Sequence, residues 1–451
     1  MLGNTVGDGA RVAVVGSGIS GLSAALHLER AGFDVDMIER EDRLGGRFGV
    51  AKLGDRPVMM GGKNIGRKYT AFRTFLDTLG SYRWEPFGIN TSMMKDDEVL
   101  TLDSTRRTRS LANIRKMGKP RDFARLAAMA ARIQSDESNK FLGSKYFTEL
   151  ARKYDHEPLS AHFSEQITNT LLRPMTVRMN GAEPDDVYLG TFGTNLALLL
   201  DYYDQLVDGV QPALEAFARR VNVRLNTTVE GLVVRDGRIA GVRASTDGAP
   251  AEELPYDGVV VAAPAYAAAE IVRSELPGLG KRLSEVRYNP SSVMLVEYDR
   301  PVFTSTVRAL AMHDGGPCSN AGSYGMNDRH IVRYTFSGRG ARDTELSTEQ
   351  LNTWVEQTER RLTRYLGATR ARPLNRVGRI WPAAYSAYLP YHGEFLFDVR
   401  HAVQQLPGLE LSGDYLWGVS IESCTRAGNA AGQRLTEQLT GQSAASAPVR
   451  K

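Results

Sequence analysis

The chain has 451 residues, of which 42% are hydrophobic and 24% charged, a composition typical of an ordinary globular protein with two domains. Its net charge of +4 is small for this length and gives no reason to expect a nucleic-acid partner. Two cysteines without C-x-x-C spacing and seven scattered histidines argue against a disulfide framework, a redox dithiol and a metal site.

Residues 1–10 lack the apolar segment of a signal peptide. The chain carries no run of about eighteen apolar residues, the length that a membrane-spanning helix needs. We therefore expect no transmembrane segment and a soluble, cytoplasmic protein.

A glycine motif near the N-terminus predicts a dinucleotide site. Residues 12–15 are a β-branched run typical of a buried strand, and Gly16, Gly18 and Gly21 follow in the pattern G-x-G-x-x-G. The first glycine allows a tight turn, the second lets the backbone approach a pyrophosphate, and the third lets helix and strand pack closely. The phosphates then meet free N–H groups at the start of a helix that reaches Arg30.

An acid completes this motif. A second strand over 35–38 leads to Glu39, eighteen residues after Gly21. A carboxylate near this distance accepts hydrogen bonds from a ribose 2′-hydroxyl and would repel the 2′-phosphate of NADP. The alternative is a glycine-rich turn in an unrelated α/β domain, but strand, helix, strand and acid all fall in the order that a dinucleotide site requires.

The segment Arg43-Leu44-Gly45-Gly46-Arg47 follows directly. With the preceding motif it resembles the superfamily of FAD-dependent amine oxidases, phytoene desaturases and protoporphyrinogen oxidases, whose members follow the ribose-binding Glu with a similar segment. Two glycines let the chain pass close to the cofactor, and Arg47 offers a planar fork of donors to phosphate. The resemblance implies FAD as the cofactor.

Residues 56–60 form a candidate strand before the turn Gly61-Gly62-Lys63-Asn64. In the resembled superfamily a glycine-rich turn at this place passes beside the flavin ring, often with an acid two residues before the first glycine, where this chain has Met59. Lys63 and Asn64 are then candidates for contact with flavin or substrate. The alternative is an exposed turn with a solvated lysine.

The middle of the chain loses the alternation of strands and helices. Residues 67–80 predict a helix, residues 86–205 a mainly helical region, and residues 205–221 a helix that returns to the cofactor domain. The region includes a basic stretch, 106–132, with nine basic residues and one acid, Asp122. This stretch either attracts an anionic substrate or a membrane surface, or it is the solvated face of a core helix.

Residues 223–243 predict strand, turn and strand, with Asp236-Gly237 as the hairpin signal, and residues 256–264 predict a buried strand that enters a loop. The same order occurs in the resembled superfamily, where a valine that matches Val229 contacts adenine through its backbone. The alternative is that these strands only complete the sheet. Further elements are predicted later in the chain: strands over 293–298 and 329–336, and an amphipathic helix over 347–366.

The run 381–393 is dense in aromatic residues. It resembles the segment that lines the substrate side of the flavin in protoporphyrinogen oxidases and amine oxidases. Aromatic walls exclude water and orient a flat or apolar substrate. Tyr385 and Tyr388 are therefore catalytic candidates by position, together with Lys63, and ordinary core packing is the alternative for each tyrosine.

The segment 409–431 returns to the cofactor, with a strand predicted to end at Gly413-Asp414 and a helix predicted to begin near Ser420. It resembles the last motif of the superfamily, and its residue pattern is most similar to that of protoporphyrinogen oxidases. Free N–H groups at the helix start would face the pyrimidine edge of the flavin and stabilise negative charge on the reduced ring. Asp414 would bond toward the ribityl–phosphate chain.

The resemblance implies an α/β fold: a Rossmann-type FAD-binding domain assembled from three segments, with an inserted α+β substrate domain. The expected boundaries are 1–85, 205–285 and 395–440 for the FAD domain, 86–204 and 286–394 for the substrate domain, and 441–451 for a disordered tail. FAD is expected to be held without a covalent bond. The residues expected to contact FAD are Gly16, Gly18, Ile19, Ser20, Gly21, Glu39, Arg40, Gly46, Arg47, Gly61, Gly62, Lys63, Asn64, Val229, Trp381, Gly413, Asp414, Ser420 and Ile421.

The implied activity is that of an FAD-dependent oxidoreductase that dehydrogenates, or desaturates, a small or medium organic, biosynthetic substrate at a C–C or C–N bond. Oxygen, a quinone or another protein takes the electrons, because no second G-x-G-x-x-G follows a strand to bind NAD(P)H. The alternatives are a redox-neutral flavin-dependent isomerase or mutase, and a non-catalytic FAD-binding protein.

One departure from the superfamily bears on the substrate. Many of its amine oxidases place a lysine near flavin N5, and Val293 occupies the matching place in this chain. No lysine occurs between Lys281 and Lys451, so a shifted alignment does not restore it. We therefore expect that the protein is not a typical simple-amine oxidase.

Overall fold

The fold is that of a computed structural model, which describes residues 9–87, 90–95, 98–103, 106–312, 316–342, 346–367 and 371–441. Of the tail predicted over 441–451, all but Gly441 lies outside the described residues. Gly441 itself takes a left-handed conformation and caps the last helix.

The elements are numbered here in chain order. The strands are β1 Arg11–Val15, β2 Asp34–Ile38, β3 Val50–Leu53, β4 Arg56–Met59, β5 Ile65–Gly66, β6 Trp84–Phe87, β7 Asn90–Lys95, β8 Glu98–Asp103, β9 Tyr203–Leu206, β10 Asn222–Arg224, β11 Thr227–Arg235, β12 Arg238–Thr246, β13 Glu252–Pro255, β14 Gly258–Val261, β15 Arg287–Tyr298, β16 Ala309–Ala311, β17 Cys318–Ser323, β18 Ile331–Phe336, β19 Pro373–Ala387 and β20 Leu409–Leu411. The helices are α1 Ile19–Arg30, α2 Thr70–Leu79, α3 Arg107–Arg115, α4 Pro120–Ser135, α5 Lys145–Tyr154, α6 Glu165–Ile167, α7 Arg173–Asn180, α8 Leu189–Leu199, α9 Gln211–Ala218, α10 Ala265–Val272, α11 Pro277–Ser284, α12 Thr348–Leu366, α13 His392–Val403, α14 Asp414–Trp417 and α15 Ile421–Thr440.

A parallel sheet with the strand order β10-β2-β1-β14-β20 carries the glycine motif. Its central strands β1 and β14 pair in register from Val12 with Gly258 to Val15 with Val261, and their apolar side chains are buried. Such continuous apolar runs suit strands that are covered on both faces. Because β1 lies between β2 and β14, the carboxyl ends of these strands border a crevice, the usual ligand position in sheets of this kind.

A mixed sheet with the strand order β19-β15-β18-β17-β16-β7-β8 forms the other half of the molecule. Alternate side chains of a strand point to opposite faces of a sheet. Along β15, Met294 and Val296 accordingly pack in one apolar cluster with Trp354 of helix α12, whereas Val293 lines a cavity on the opposite face. The mixed sheet therefore presents one face to its own helix and the other to the cavity.

Several elements predicted from sequence are confirmed. Helix α2 lies within 67–80, helix α12 within 347–366, and β11 and β12 form the hairpin at Asp236-Gly237. Both turn residues have positive φ, +51° and +73°, as the tightest hairpin turns require.

The region 86–205 is mainly helical, as predicted, since α3 to α8 all lie within it. Its first part is an exception, because β6, β7 and β8 occupy 84–87, 90–95 and 98–103, and β7 pairs with β16 in the mixed sheet. The residues 205–221 do not form one helix, because β9 ends at Leu206 and α9 begins only at Gln211, after Gly209 with φ +66°. In both places a strand forms because a distant strand pairs with it, and local helix propensity does not report such pairing.

The basic stretch 106–132 falls mainly on α3 and α4. Leu126, Met129 and Ile133 of α4 are buried, while Arg121 and Arg132 are exposed, so the amphipathic pattern is confirmed. The single acid, Asp122, is buried and accepts hydrogen bonds from the backbone N–H groups of Lys119 and Ser164, 3.1 Å each. It thus caps the start of α4 and ties the helix to its neighbour.

Candidate active site

A cavity of about 500 Å³ lies where the parallel sheet meets the mixed sheet. Its wall includes Gly18 and Ala262 beside the carboxyl ends of β1 and β14, and Val293 from the mixed sheet. Many residues that the sequence singled out line this one cavity. They are Gly18, Ile19, Ser20, Arg47, Gly61, Gly62, Lys63, Asn64, Trp381, Tyr385, Gly413, Asp414 and Ile421.

The glycine loop after β1 has the geometry of a phosphate cradle. Gly16 has φ +98°, and a Cβ there would lie 2.8 Å from the carbonyl oxygen of Ala262. A Cβ at Gly21 would collide with the carbonyl oxygen of Gly16, so this glycine allows helix α1 to approach the loop. At Gly18, by contrast, a Cβ would meet nothing within 4 Å. That open space lies at the helix N-terminus, which no side chain caps, and it fits the diphosphate of a dinucleotide.

Glu39 is buried at the end of β2, with 6% of its surface exposed. Its Oε2 accepts hydrogen bonds from the backbone N–H of Ser17 at 2.8 Å and from Ser17 Oγ at 2.6 Å, and its Oε1 accepts from the N–H of Glu41 at 2.9 Å. A carboxylate has roughly four lone-pair sites. The acid is therefore held rigidly against the glycine loop, with capacity left for a ribose hydroxyl.

Arg47 joins three distant segments. Its Nη1 donates to Asp414 Oδ2 at 2.8 Å and to the carbonyl oxygen of Ala384 at 2.7 Å, and Tyr288 donates its hydroxyl to Asp414 Oδ1 at 2.9 Å. Burial alone would lower the pKa of the Arg47 guanidinium, but the charge of Asp414 and its hydrogen bond hold that pKa above the ordinary value. The pair places the first and last cofactor motifs side by side.

Lys63 projects into the buried wall of the cavity, with 6% of its surface exposed. Its Nζ donates to Gln205 Oε1 at 2.9 Å and to Asn64 Oδ1 at 3.1 Å, and it lies 3.9 Å from the ring centroid of Phe87. Burial, reinforced by the nearby charge of Arg333, lowers the pKa of Lys63 well below its ordinary value. The structure therefore rules out the alternative of an exposed, solvated lysine at this turn.

The start of helix α15 meets the glycine turn at Gly61-Gly62. Ser420 is the N-cap of this helix and accepts a hydrogen bond from the N–H of Ser423 at 3.0 Å. A Cβ at Gly62 would lie 3.2 Å from Ile421 Cδ1, so the turn and the helix start are in close contact. Ile421, at the start of this helix, lines the cavity.

Other residues expected to contact FAD lie beside the cavity lining or farther away. Gly46 lies against the glycine loop, because a Cβ there would be 3.4 Å from Gly18 Cα. Val229 is buried on β11, whose first N–H donates to the carbonyl of Glu39. Arg40 is exposed on the surface near Glu41. These assignments to FAD stay predictions.

The two tyrosine candidates occupy different environments. Tyr385 lines the cavity. Tyr388 is buried beside His392, with ring centroids 5.3 Å apart, and is not part of the cavity wall. Burial raises the pKa of Tyr388 well above its ordinary value. Of the two, Tyr385 is the one placed to meet a substrate.

Sequence reasoning missed two arginines of the cavity, Arg178 and Arg333. Arg178 belongs to helix α7 and Arg333 to strand β18. The segment 173–185 around Arg178 resembles a link in the superfamily's substrate domain, but that resemblance does not single out Arg178. One signal for Arg333 was available: it is the single charged residue in the apolar strand 331–336. A charged residue inside an apolar strand usually has a specific role.

Two negative findings apply to the described residues. No group of three or more His, Cys, Asp or Glu side chains among them is arranged to hold a metal ion. Within the same residues, no helix combines the length and apolar character needed to cross a bilayer.

Comparison with known proteins gives a family match over nearly the whole chain. The family model described as flavin containing amine oxidoreductase matches residues 19–436. A probable flavin-containing monoamine oxidase A of Dictyostelium discoideum is 24% identical over 369 residues, 75% of this chain and 77% of the relative. A mitochondrial protoporphyrinogen oxidase of Nicotiana tabacum is 22% identical and is matched over 93% of each chain. Among solved structures, the cyclohexylamine oxidase of Brevibacterium oxydans IH-35A is 18% identical with a TM-score of 0.75, covering 95% of this chain and 99% of that one.

Proposed function

Because the chain belongs to the family of flavin-containing amine oxidoreductases and is an FAD-dependent oxidoreductase, we propose that it dehydrogenates a small or medium organic substrate, a biosynthetic intermediate, at a C–C or C–N bond inside the cavity. The observation that carries this proposal is the continuity of the cavity. One wall holds the glycine loop and the turn Gly61-Gly62, and the same space reaches Trp381 and Tyr385 of β19.

Residues of the chain would hold FAD along this wall. Glu39 would accept a ribose hydroxyl, and the open space over Gly18 would receive the diphosphate at the start of α1. The pair Arg47 and Asp414 would bind the chain between diphosphate and ring, and the N-terminus of α15 would face the ring itself.

Bound FAD supplies the electron acceptor: the substrate loses a hydride and a proton and gains a double bond, and oxygen, a quinone or a redox protein reoxidises the cofactor. The chain contributes binding, orientation and exclusion of water through an apolar wall that includes Phe87, Leu171 and Met175. Lys63 and Tyr385 line the cavity and are the candidates to move the proton. Of the two, Lys63 has a pKa that burial lowers well below its ordinary value.

The same proposal assigns the domains. Residues 1–85, 205–285 and 395–440 would form the FAD domain, which includes every strand of the parallel sheet. Residues 86–204 and 286–394 would form the substrate domain, which includes every strand of the mixed sheet. Substrate would then react where the two domains face each other, in the cavity.

Anaerobic addition of fractionated metabolite pools to the purified yellow protein tests the activity. We expect one pool to bleach the flavin and to yield, by mass spectrometry, a product two hydrogens lighter than its substrate or, after oxidation at a C–N bond, the carbonyl compound and amine that hydrolysis of the imine releases. A bleaching metabolite whose product keeps the same mass would contradict net oxidation, and failure of every pool to bleach the flavin would contradict catalysis.

A pair of variants locates the reaction. Leu171→Trp should block the cavity and abolish bleaching while the protein keeps its FAD, because Leu171 lines the cavity wall. Leu374→Trp makes the same change at an exposed position, 61% accessible, and should leave bleaching unchanged. Equal bleaching by both variants would place the substrate elsewhere.

A further inference from the structure

Two arginines in the cavity have no acidic partner among the described residues. Arg178 Nη1 donates to Thr91 Oγ1 at 2.9 Å, and Arg333 Nη1 donates to the carbonyl oxygen of Gly61 at 2.9 Å. Both contacts are to neutral acceptors, and no carboxylate of the described residues lies within ion-pair distance of either guanidinium. Burial lowers the pKa of both groups, and the charge of Arg333 lowers the pKa of Arg178 further. Arginine nevertheless stays protonated in proteins, so two positive charges remain.

Three other partly buried arginines of this chain are paired with acids. Arg173 donates to Glu183 at 2.7 Å, Arg342 to Asp186 at 2.7 Å, and Arg47 to Asp414 at 2.8 Å. Removing a charge from water without a partner is costly, so a folded protein normally supplies one. Arg178 and Arg333 differ from these three and lie in the wall of the cavity.

The charge of the cavity wall is therefore strongly positive. Its ionisable Lys, Arg, Asp and Glu side chains are Arg47, Lys63, Arg178, Arg333 and Asp414. Arg47 and Asp414 balance one another. Lys63 is connected to a carboxylate only through Gln205: Lys63 donates a hydrogen bond to Gln205, and Gln205 donates one to Glu85. The remaining positive charge lies on Arg178 and Arg333, beside Tyr385.

These arginines are not placed to serve the diphosphate of FAD. Arg178 contacts Thr91 of β7, and Arg333 comes from β18, both strands of the mixed sheet. The open space for the diphosphate lies instead at the start of α1, beside the carboxyl end of β1. The wall around the arginines also includes the apolar side chains of Phe87, Met93, Leu102, Leu171, Met175 and Met179.

We propose that the substrate of this enzyme is an apolar molecule that bears a carboxylate, and that Arg178 and Arg333 bind this carboxylate. The proposal rests on the proposed function, because it names the substrate class of the same cavity. Two guanidinium forks match the planar geometry of a carboxylate, and the apolar wall receives the body of the molecule. The bound anion supplies the charge partner that the described part of the chain does not provide.

Equilibrium binding of non-reactive probes to the FAD-loaded protein tests this inference without any turnover. The probes are octanoate, octanol and octylamine, which share a chain length and differ in charge, and the signal is perturbation of the flavin absorbance. A charge-assisted hydrogen bond contributes about 1.5–3 kcal/mol, so octanoate should bind roughly tenfold to a hundredfold more tightly than octanol. Octylamine should bind most weakly. Equal affinities, or tighter binding of octylamine, would overturn the proposal.

Substitutions identify the binding residues. Arg178→Met and Arg333→Met should each weaken octanoate binding by roughly tenfold or more and leave octanol binding unchanged. Arg238→Met, at an exposed position outside the cavity wall, is the matched control and should change neither. Loss of octanol binding together with octanoate would contradict a specific role for the charge.

Arg333 also holds the carbonyl of Gly61, so its removal could disturb the cofactor wall. FAD content of each variant is therefore measured first. If Arg333→Met loses FAD, the proposal is tested by comparing octanoate binding in Arg178→Met and Arg178→Lys. Lysine keeps the positive charge but lacks the two parallel donors of the guanidinium group. Partial recovery of octanoate affinity in Arg178→Lys supports the proposal, and unchanged octanoate affinity in both variants overturns it. Octyl phosphate that binds more tightly than octanoate would overturn the choice of a carboxylate.

Discussion

Arg47 and Asp414 are 367 residues apart in the chain, yet their side chains meet in a hydrogen-bonded ion pair of 2.8 Å. Only 4% of the Asp414 side chain is exposed, against 35% for Arg47. Tyr288 and the carbonyl of Ala384 complete the network. The pair therefore joins the segment 43–47 to the segment 409–431, so the relative position of these two predicted cofactor motifs depends on one contact.

Breaking this pair should destabilise the protein and loosen FAD. Arg47→Met leaves the buried Asp414 without its cation, which typically costs about 3–5 kcal/mol. The double variant Arg47→Met/Asp414→Leu should lose less stability than the sum of the single changes, because the uncompensated charge is gone. Thermal unfolding of all three variants measures this coupling.

A surface pair is the control. Arg83 and Asp208 also meet at 2.8 Å, but their side chains are 73% and 53% exposed. Arg83→Met should lower the melting temperature much less than Arg47→Met does, because water screens exposed pairs. Equal losses in Arg47→Met and Arg83→Met would show that the buried pair has no special importance.

Glu39→Ala should weaken FAD retention. The carboxylate is buried against the glycine loop, and loss of a charged hydrogen-bond partner costs about 1.5–3 kcal/mol. The FAD dissociation constant should therefore rise roughly tenfold to a hundredfold, as measured by fluorescence of released flavin. Glu275→Ala, at an exposed site, is the control and should leave this constant unchanged. Wild-type affinity in Glu39→Ala would mean that the acid does not hold the ribose.

Heat or acid treatment should release FAD as an intact molecule, because no covalent bond holds it to the protein. Cys424 lines the cavity, but burial and the neighbouring charge of Asp414 raise the pKa of its thiol to about 12, so the nucleophilic thiolate is scarce. Acid precipitation followed by absorbance of the supernatant measures the released flavin, and Cys424→Ser should release the same amount. Yellow colour that stays with the denatured wild-type chain would contradict this expectation.

His392 should make the protein acid-sensitive. Its Nδ1 accepts from the N–H of Leu389 at 3.3 Å and its Nε2 donates to the carbonyl of Tyr415 at 2.8 Å, so the neutral ring satisfies both contacts. Burial, with the nearby charge of Arg282, lowers the pKa of His392 to about 4. The unfolded chain takes up this proton below about pH 6.5, whereas the folded chain does so only below about pH 4.

Within that window the unfolded state binds more protons, so folding stability falls as the pH falls, by about 1.4 kcal/mol per pH unit for this one group. Urea unfolding at about pH 7 and about pH 5 should show a smaller loss of stability in His392→Gln than in the wild type. His156→Gln, at an exposed site, should keep the wild-type loss. Identical pH dependence in His392→Gln and wild type would contradict the assignment.

Simple amines should leave the flavin oxidised. The unpaired charges of Arg178 and Arg333 oppose an alkylammonium ion, and Val293 stands at the position where the resemblance places a lysine in many amine oxidases. Anaerobic spectra with a panel of primary amines and amino acids measure this directly. Rapid bleaching by one such amine, followed by fast reoxidation in air, would contradict the prediction.

The sequence alone determined the cofactor motifs, and the reason is that their parts interact locally. Strand β1, the glycine loop, helix α1 and Glu39 fall within 29 residues, from Arg11 to Glu39, so fixed spacing encodes their geometry. The hairpin at Asp236-Gly237 was predictable for the same reason, because two adjacent residues set the turn.

Only the tertiary structure decided which residues line the cavity on the side opposite the glycine loop. Arg178 and Arg333 come from a helix and a strand 155 positions apart in the chain, and no local pattern indicates that they share a cavity. Strands β7 and β8 likewise form in a region predicted to be mainly helical, because β16 pairs with β7 from more than two hundred residues away. Hydrogen bonds between strands and the placing of charges depend on which distant segments meet, and chain folding, not residue spacing, determines those meetings.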